Sequence, residues 1–228
     1  MLSAIVLAAG KGKRLKTACP KPLVRIGKRP AIFYSLNKLD KHPCVDEIIV
    51  VLSAINQAKI TREIKGFSFK KIKAFVLGGK RRQDSVYNGL KAANKRSDLV
   101  LIHDSARPFI DSGSITKVIL AARKSGASLL AVRPKATIKL SRSSGIVAET
   151  LSRDKLWEAQ TPQVFKKSTL LEAYKKYSRG DVTDDASLVE KLGRKVSIVE
   201  GSYSNIKITT VEDLLLAGLI VKGKTHAI

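Results

Sequence analysis

The chain has 228 residues, 44% hydrophobic, with 43 Lys and Arg against 19 Asp and Glu and a formal net charge of +24. That is enough for one core-bearing domain, and no apolar run approaches the ~18 residues of a membrane span. The positive excess draws polyanions, yet it spreads from Lys11 to Lys224 with no basic tail and only 5% aromatics, which argues against nucleic acid as the partner.

Ser3–Ala8 reads as a buried strand. It feeds a loop with Gly10 and Gly12 that carries Lys11, Lys13, Arg14, Lys16 and Lys21, and no acid precedes Asp40. Glycines let backbone N–H groups approach phosphate oxygens, and the cations neutralise them. The loop is neither a G-x-x-x-x-G-K-[ST] phosphate loop nor a G-x-G-x-x-G dinucleotide turn, so polyphosphate would be held by fewer glycines and more cations. Helix Ala31–Leu39, strand Glu47–Leu52, helix Ile55–Ile64, strand Lys71–Leu77, helix Arg82–Ala93, strand Asp98–His103, helix Ser114–Ser125 and strand Ser128–Val132 follow. This alternation predicts a single Rossmann-like α/β domain over 1–228 with a mostly parallel twisted sheet, its ligands at the carboxyl ends of the strands. Gly10, Gly78-Gly79 and Asp104 fall at such ends.

The rhythm breaks at Arg133. Thr137–Leu140 and Ile146–Leu151 flank Ser143-Ser144-Gly145, a hairpin pattern within an excursion at about 134–153. Two strands alone are barely stable, so this protruding β-arm is expected to lean on a partner subunit. A helix near Ser168–Lys176, a helix Asp185–Leu192, a strand Lys195–Val199 and a helix from Val211 complete the chain, with Thr209-x-x-Glu212 as a capping box. His42 and His226 are expected at the surface, His103 inside a strand end, and Trp157 in the core. Cys19 and Cys44 form no C-x-x-C and cannot build a metal cage, and no cationic leader precedes the first apolar run. A cytoplasmic setting fits, or a plastid stroma for a processed chain.

Seven separated strings then resemble one family: Leu7-Ala-Ala-Gly-Lys-Gly-Lys-Arg14, Pro20-Lys21, Gly78-Gly-Lys-Arg-Arg-Gln-Asp-Ser85-Val, His103-Asp-Ser-Ala-Arg-Pro108, Gln160-Thr-Pro-Gln163, Thr183-Asp-Asp-Ala186 and Asn205-Ile-Lys207. They are similar to the 2-C-methyl-D-erythritol 4-phosphate cytidylyltransferases of non-mevalonate isoprenoid synthesis, over nearly the whole chain. The resemblance implies that CTP and the polyol phosphate react to give the CDP-alcohol and pyrophosphate. It implies nucleotide contacts from Ala8, Ala9, Gly10, Gly12, Gly79, Ser85, Ser105 and Ala106, and catalytic cations at Arg14, Lys21, Arg153 and Lys207. It further implies acceptor contacts from Arg107, Thr137, Thr161 and Thr183, and a Mg²⁺ ion, or another divalent cation, on Asp104. Thr137 and Arg153 would come from the neighbouring subunit of a homodimer joined through the arm. Lys80 stands where some relatives carry an acid near the base, so backbone acceptors must read the cytosine amino group. Two rivals remain: a ribitol 5-phosphate cytidylyltransferase, and a non-catalytic nucleic-acid or anion-binding module.

Overall fold

The first apolar run folds as β1, Leu2–Ala8, an interior strand of a seven-stranded sheet. This is a computed structural model. It describes every residue except Lys11, Lys16, Ala18, Ser143, Ser144, Ser178 and 226–228, and only the backbone of Lys13, Lys224 and Thr225. The expectations placed on Lys11, Lys16, the Lys13 side chain, the Ser143-Ser144 turn and His226 lie outside the described residues.

A small ladder follows β1, β2 (Arg25–Ile26) with β3 (Arg29–Pro30), and then α1 (Ala31–Lys41). Next come β4 (Glu47–Leu52), α2 (Gln57–Lys65), β5 (Ile72–Leu77), α3 (Arg82–Ala92), β6 (Leu99–Asp104), α4 (Ser112–Ser125) and β7 (Ala127–Val132). The arm is β8 (Ile138–Ser141) paired antiparallel with β9 (Val147–Leu151). Then follow β10 (Glu158–Lys166), α5 (Lys167–Tyr177), α6 (Asp185–Lys191), β11 (Ser197–Glu200) and α7 (Val211–Thr225). The sheet order is β11-β7-β10-β6-β1-β4-β5, parallel at every pairing except those of β10.

Alternation along β1 sorts the core into two layers. Ala4, Val6 and Ala8 pack with Ile32 and Leu36 of α1, Ile60 of α2 and Val118 of α4. Ile5 faces the other way, against Val86 and Leu90 of α3, Leu170 of α5 and Leu188 of α6. Strands covered on both faces bury nearly every side chain, as in β4 and β6. The chain moves outward from β1 to β4 and β5, then returns to β6 on the other side. The crevice this reversal opens lies at the carboxyl ends of β1 and β6. No helix among the described residues is long and apolar enough to cross a membrane.

Three features depart from the sequence reading. First, β10 was not expected: it is an antiparallel strand wedged between β6 and β7. Its middle reads Gln160-Thr-Pro-Gln163, polar and proline-bearing, which argues against a central strand. The polar groups are buried but paired: Gln160 donates to Ser202 O (3.0 Å), and Gln163 donates to Asp184 Oδ2 (2.8 Å) and accepts from Ala186 N (3.2 Å). Second, His42 is only 2% exposed rather than at the surface. Its Nδ1 accepts from Cys44 N, and its Nε2 lies 3.1 Å from Thr116 Oγ1. Third, the cap of α7 lies one residue later than Thr209-x-x-Glu212. Asp213 Oδ2 accepts from Thr210 N at 2.9 Å, and Thr210 Oγ1 accepts from Asp213 N at 3.3 Å.

Candidate active site

At the carboxyl ends of β1 and β6 lies a cleft of about 480 Å³. Its floor is the end of β1, from Leu7 and Ala8 on through Ala9 and Gly10. Gly12 takes a left-handed conformation (φ 63°) that brings the loop against the stem of Lys21, so Arg14 and Lys21 both reach the cleft. The opposite rim begins at Gly78-Gly79, where the backbone passes too close for side chains. A Cβ on Gly78 would sit 2.6 Å from Ala9 Cβ, and one on Gly79 2.3 Å from Asp84 Cβ. The Ser85 hydroxyl shapes that turn, accepting from Gly79 N (3.1 Å) and donating to Arg81 O (3.2 Å).

Asp104 ends β6 and enters the cleft with Ser105 and Ala106. The Ser105 hydroxyl donates to Leu7 O (2.7 Å), tying β6 to β1. Ala106 O accepts from Ile208 N (2.9 Å), which lays the 205–209 segment across the site. Lys207 Nζ thereby reaches Asp104 Oδ2 at 2.6 Å. Arg82, at the start of α3, approaches Asp104 Oδ1 at 3.3 Å and binds Asp185 Oδ2 at 2.8 Å. Asp185 is fully buried and accepts from the Tyr174 hydroxyl at 2.5 Å. A chain of polar contacts thus crosses from α5 and α6 through α3 to the cleft.

The electrostatics follow from this crowding. Burial by itself would raise the Asp104 carboxyl, but Arg82 and Lys207 outweigh it and hold the group well below the usual carboxylate range. Burial, and then the nearby Lys207, draw Lys21 below the ordinary lysine value. Asp104 is the sole acid on the cleft wall among the described residues, facing Arg14, Lys21, Lys80, Arg81, Arg82 and Lys207. Such a surface is suited to a polyphosphate, and Asp104 is the residue on it that could hold a divalent cation.

Sequence reasoning missed Arg82, Asp185 and Tyr174. Arg82 carries a readable signal: it sits four residues before Val86, on the inward face of α3 that continues through Leu90.

The family model for 2-C-methyl-D-erythritol 4-phosphate cytidylyltransferase, IspD, matches residues 2–223. The chain belongs to the IspD family. It is 43% identical over 225 residues to the curated enzyme of that name from Clostridium botulinum (strain Loch Maree / Type A3), covering 98% of each chain. It is also 43% identical over 222 residues to that of Syntrophus aciditrophicus, covering 96% of this chain and 95% of the relative. The crystal structure of 4-diphosphocytidyl-2C-methyl-D-erythritol synthase from Anaerococcus prevotii superposes with a TM-score of 0.86 at 36% identity, covering 97% of this chain and 96% of that one.

The four acceptor residues expected of an IspD protein, Arg107, Thr137, Thr161 and Thr183, and the cation Arg153 are placed differently from the nucleotide set, and none of them lines the cleft. Arg107 turns toward the 159–205 seam, donating to Asn205 O (2.7 Å) and Ala159 O (3.3 Å), with its Nε buried and without a hydrogen-bond partner. Thr161 is 4% exposed, and its hydroxyl accepts from Asp104 N at 3.0 Å. Thr183 is exposed just before α6. Thr137 and Arg153 are exposed at the base of the arm, where Arg153 donates to Lys135 O (2.8 Å). Trp157 packs against the α3–α5–α6 layer of the core, with the Arg133 guanidinium 3.9 Å from its ring centroid.

His103 binds this region together. It is fully buried, with Nε2 3.1 Å from Arg107 O and Nδ1 3.3 Å from Thr161 Oγ1. Burial pulls its pKa down to about 4, against the opposing influence of the Asp104 carboxylate and of the hydrogen bond to the Arg107 carbonyl. The folded protein therefore binds fewer protons than the unfolded chain between pH 6.5 and about 4, so stability falls as pH falls through that window. The loss expected from His103 by pH 5 is about 2 kcal/mol. Urea titrations at pH 7 and pH 5 should show the difference, and His103→Gln should shrink it.

Proposed function

We propose that this chain transfers the cytidylyl group of CTP to 2-C-methyl-D-erythritol 4-phosphate, releasing pyrophosphate. The carrying observation is the cleft at the end of β1, in which cations from four chain segments surround Asp104. The nucleophile is a phosphate-monoester oxygen. With a second pKa of ~6 it is already largely dianionic at neutral pH, so no general base is required. His103 fits that scheme, since it is buried, neutral and committed to Thr161 and Arg107. What the reaction demands is that two anions be held together while charge builds on the α-phosphate.

Roles follow from place. Backbone at Ala8, Ala9, Gly10, Gly12 and Gly79, with Ser85, Ser105 and Ala106, cradles the nucleoside and its phosphates. Arg14, Lys21 and Lys207 meet the triphosphate. Among the described residues no three His, Cys, Asp or Glu side chains cluster to cage a metal. A single ionised carboxylate suits Mg²⁺, which takes its other ligands from phosphates and water. Asp104 would hold that ion, and its charge would offset that of the phosphates. When the triphosphate arrives, Lys207 and Arg82 exchange part of their contact with Asp104 for phosphate oxygens. Arg107, Thr161 and Thr183 lie off the cleft wall and are assigned to the acceptor by their match to the family strings rather than by place.

Thr137 and Arg153 would complete the acceptor site from a second subunit. Leu140, Ile146 and Val147 leave the arm 45%, 72% and 55% exposed, which supports its lying against another copy. The working compartment is taken to be the cytoplasm. Pyrophosphate release should be measured with CTP and Mg²⁺ against methylerythritol 4-phosphate and ribitol 5-phosphate in turn. Release with the first polyol, abolished by EDTA, is expected. Release with ribitol 5-phosphate alone would overturn the substrate assignment, and tight RNA binding above ~200 mM salt without any turnover would overturn the reaction.

A further inference from the structure

The terminal helix α7 is apolar on more sides than its own chain can cover. Ala217 is fully buried and, with Leu214, Ile220 and Val221, packs on Val24, Ile26 and Phe109. The opposite face presents Val211 (46% exposed), Leu215 (68%) and Leu219 (65%), flanked by Leu216 (45%). Spacing of i, i+4, i+8 makes these one continuous stripe, and a helix apolar all round is ordinarily covered all round.

Two more observations say what covers it. Gly218 and Gly223 interrupt the helix, each at a cost of about 1 kcal/mol against alanine. Neither is required by this chain, because a Cβ on either would meet nothing within 4 Å. Glycine bordering an exposed leucine stripe permits close approach by a second backbone. The charges then fix the direction of that backbone. Glu212 and Lys222 are both exposed and border the stripe near its two ends, and they lie symmetrically about the level of Ala217, as do Leu215 and Leu219. Laid antiparallel on its own copy about a two-fold axis at that level, α7 sets Leu215 against Leu219 and Glu212 against Lys222, each twice. A parallel pair would instead oppose Glu212 to Glu212 and Lys222 to Lys222.

We propose that this face of α7 is a self-association surface on which a second copy of the chain packs antiparallel, helix on helix. The surface is separate from the β8–β9 arm and does not rest on the arm's assignment. An anionic membrane is the poorer occupant, because Glu212 and Asp213 crowd the first turn of the helix. One helix pair is small for an interface, so the association is weak, and the +24 charge makes it strengthen as salt screens the repulsion.

Sedimentation velocity on the full chain, from micromolar to millimolar at two salt concentrations, tests this. Leu215→Asp with Leu219→Asp should weaken a concentration-dependent association at least ~10-fold, about 1.4 kcal/mol. Lys222→Glu alone should weaken it, and Glu212→Lys with Lys222→Glu should restore it. These side chains are exposed, so the far-ultraviolet circular dichroism should not change. If both surfaces operate, the native chain passes beyond a dimer. The α7 variants then return it to a dimer, as does Ile146→Asp on the arm. If only α7 operates, the native chain is a monomer–dimer mixture and the α7 variants are monomers. The proposal is overturned if the leucine variants leave the mass distribution unchanged, if the double charge reversal fails to restore association, or if the stripe binds anionic vesicles while the protein stays unassociated.

Discussion

Asp104→Asn is expected to lower pyrophosphate release by about 10³-fold or more while leaving the fold intact. The side chain is nearly isosteric, and the peptide N–H of residue 104 keeps its bond to Thr161 Oγ1. What disappears is the single negative charge among the described residues of the cleft wall. In the native chain that charge is maintained despite burial because Lys207 and Arg82 lie 2.6 and 3.3 Å away. Without it the divalent cation of the proposed reaction would lose the carboxylate assigned to hold it, and an effect of several kcal/mol, about 10³ in rate, is the ordinary scale for such a loss. The Mg²⁺ concentration for half-maximal rate should rise with the same substitution, and the thermal unfolding midpoint should move by only a few degrees. Turnover retained within tenfold, or an unchanged metal dependence, would remove Asp104 from the proposed chemistry.

Lys21→Ala should cost at least ~10² in turnover, by the scale of lost oxyanion donors, with a smaller effect on the KM for CTP. Lys21 opens a short 3₁₀ turn, Lys21–Leu23, that is pinned by Leu23 N to Pro20 O at 2.7 Å. The backbone that carries the ammonium toward the cleft is therefore held in place before substrate arrives. The ammonium is also costly in the free protein, since burial and Lys207 both disfavour its charge. That cost is relieved when an anion enters, and most fully when negative charge is greatest. Stopped assays of kcat and KM on the purified variant, beside its circular dichroism, check this. A change confined to KM would mean that Lys21 binds nucleotide without favouring the transition state.

The parts of this fold legible in the sequence are those in which side-chain polarity and burial agree. β1, β4 and β6 are apolar because both faces are covered, and α1 and α4 alternate as helices on a sheet must. Reading failed where polarity and burial part company. Gln160 and Gln163 look like loop residues but are buried in β10, because Ser202, Asn205, Asp184 and Ala186 supply partners from distant segments. His42 is buried for the same reason. The cleft shows a similar division. Gly12, Gly79, Lys21, Asp104 and Lys207 are legible through local strings, and the structure gathers them into one wall. Arg82, Asp185 and Tyr174 depend on three helices meeting, and among the consecutive cations Lys80, Arg81 and Arg82 only the helical phase marks the inward one.

The sheet register beneath the arm has a consequence for the protein's modularity. Val132, the last residue of β7, is paired directly with Glu158, the first of β10, so the two strand ends bordering the arm are already ladder neighbours. The ring of chain they close can lengthen, shorten or change composition at little entropic cost, because its closure is supplied by the ladder. The arm is in this sense an exchangeable fitting on a finished chassis, and whatever it contributes can diverge between relatives while the cationic wall of the cleft stays as it is.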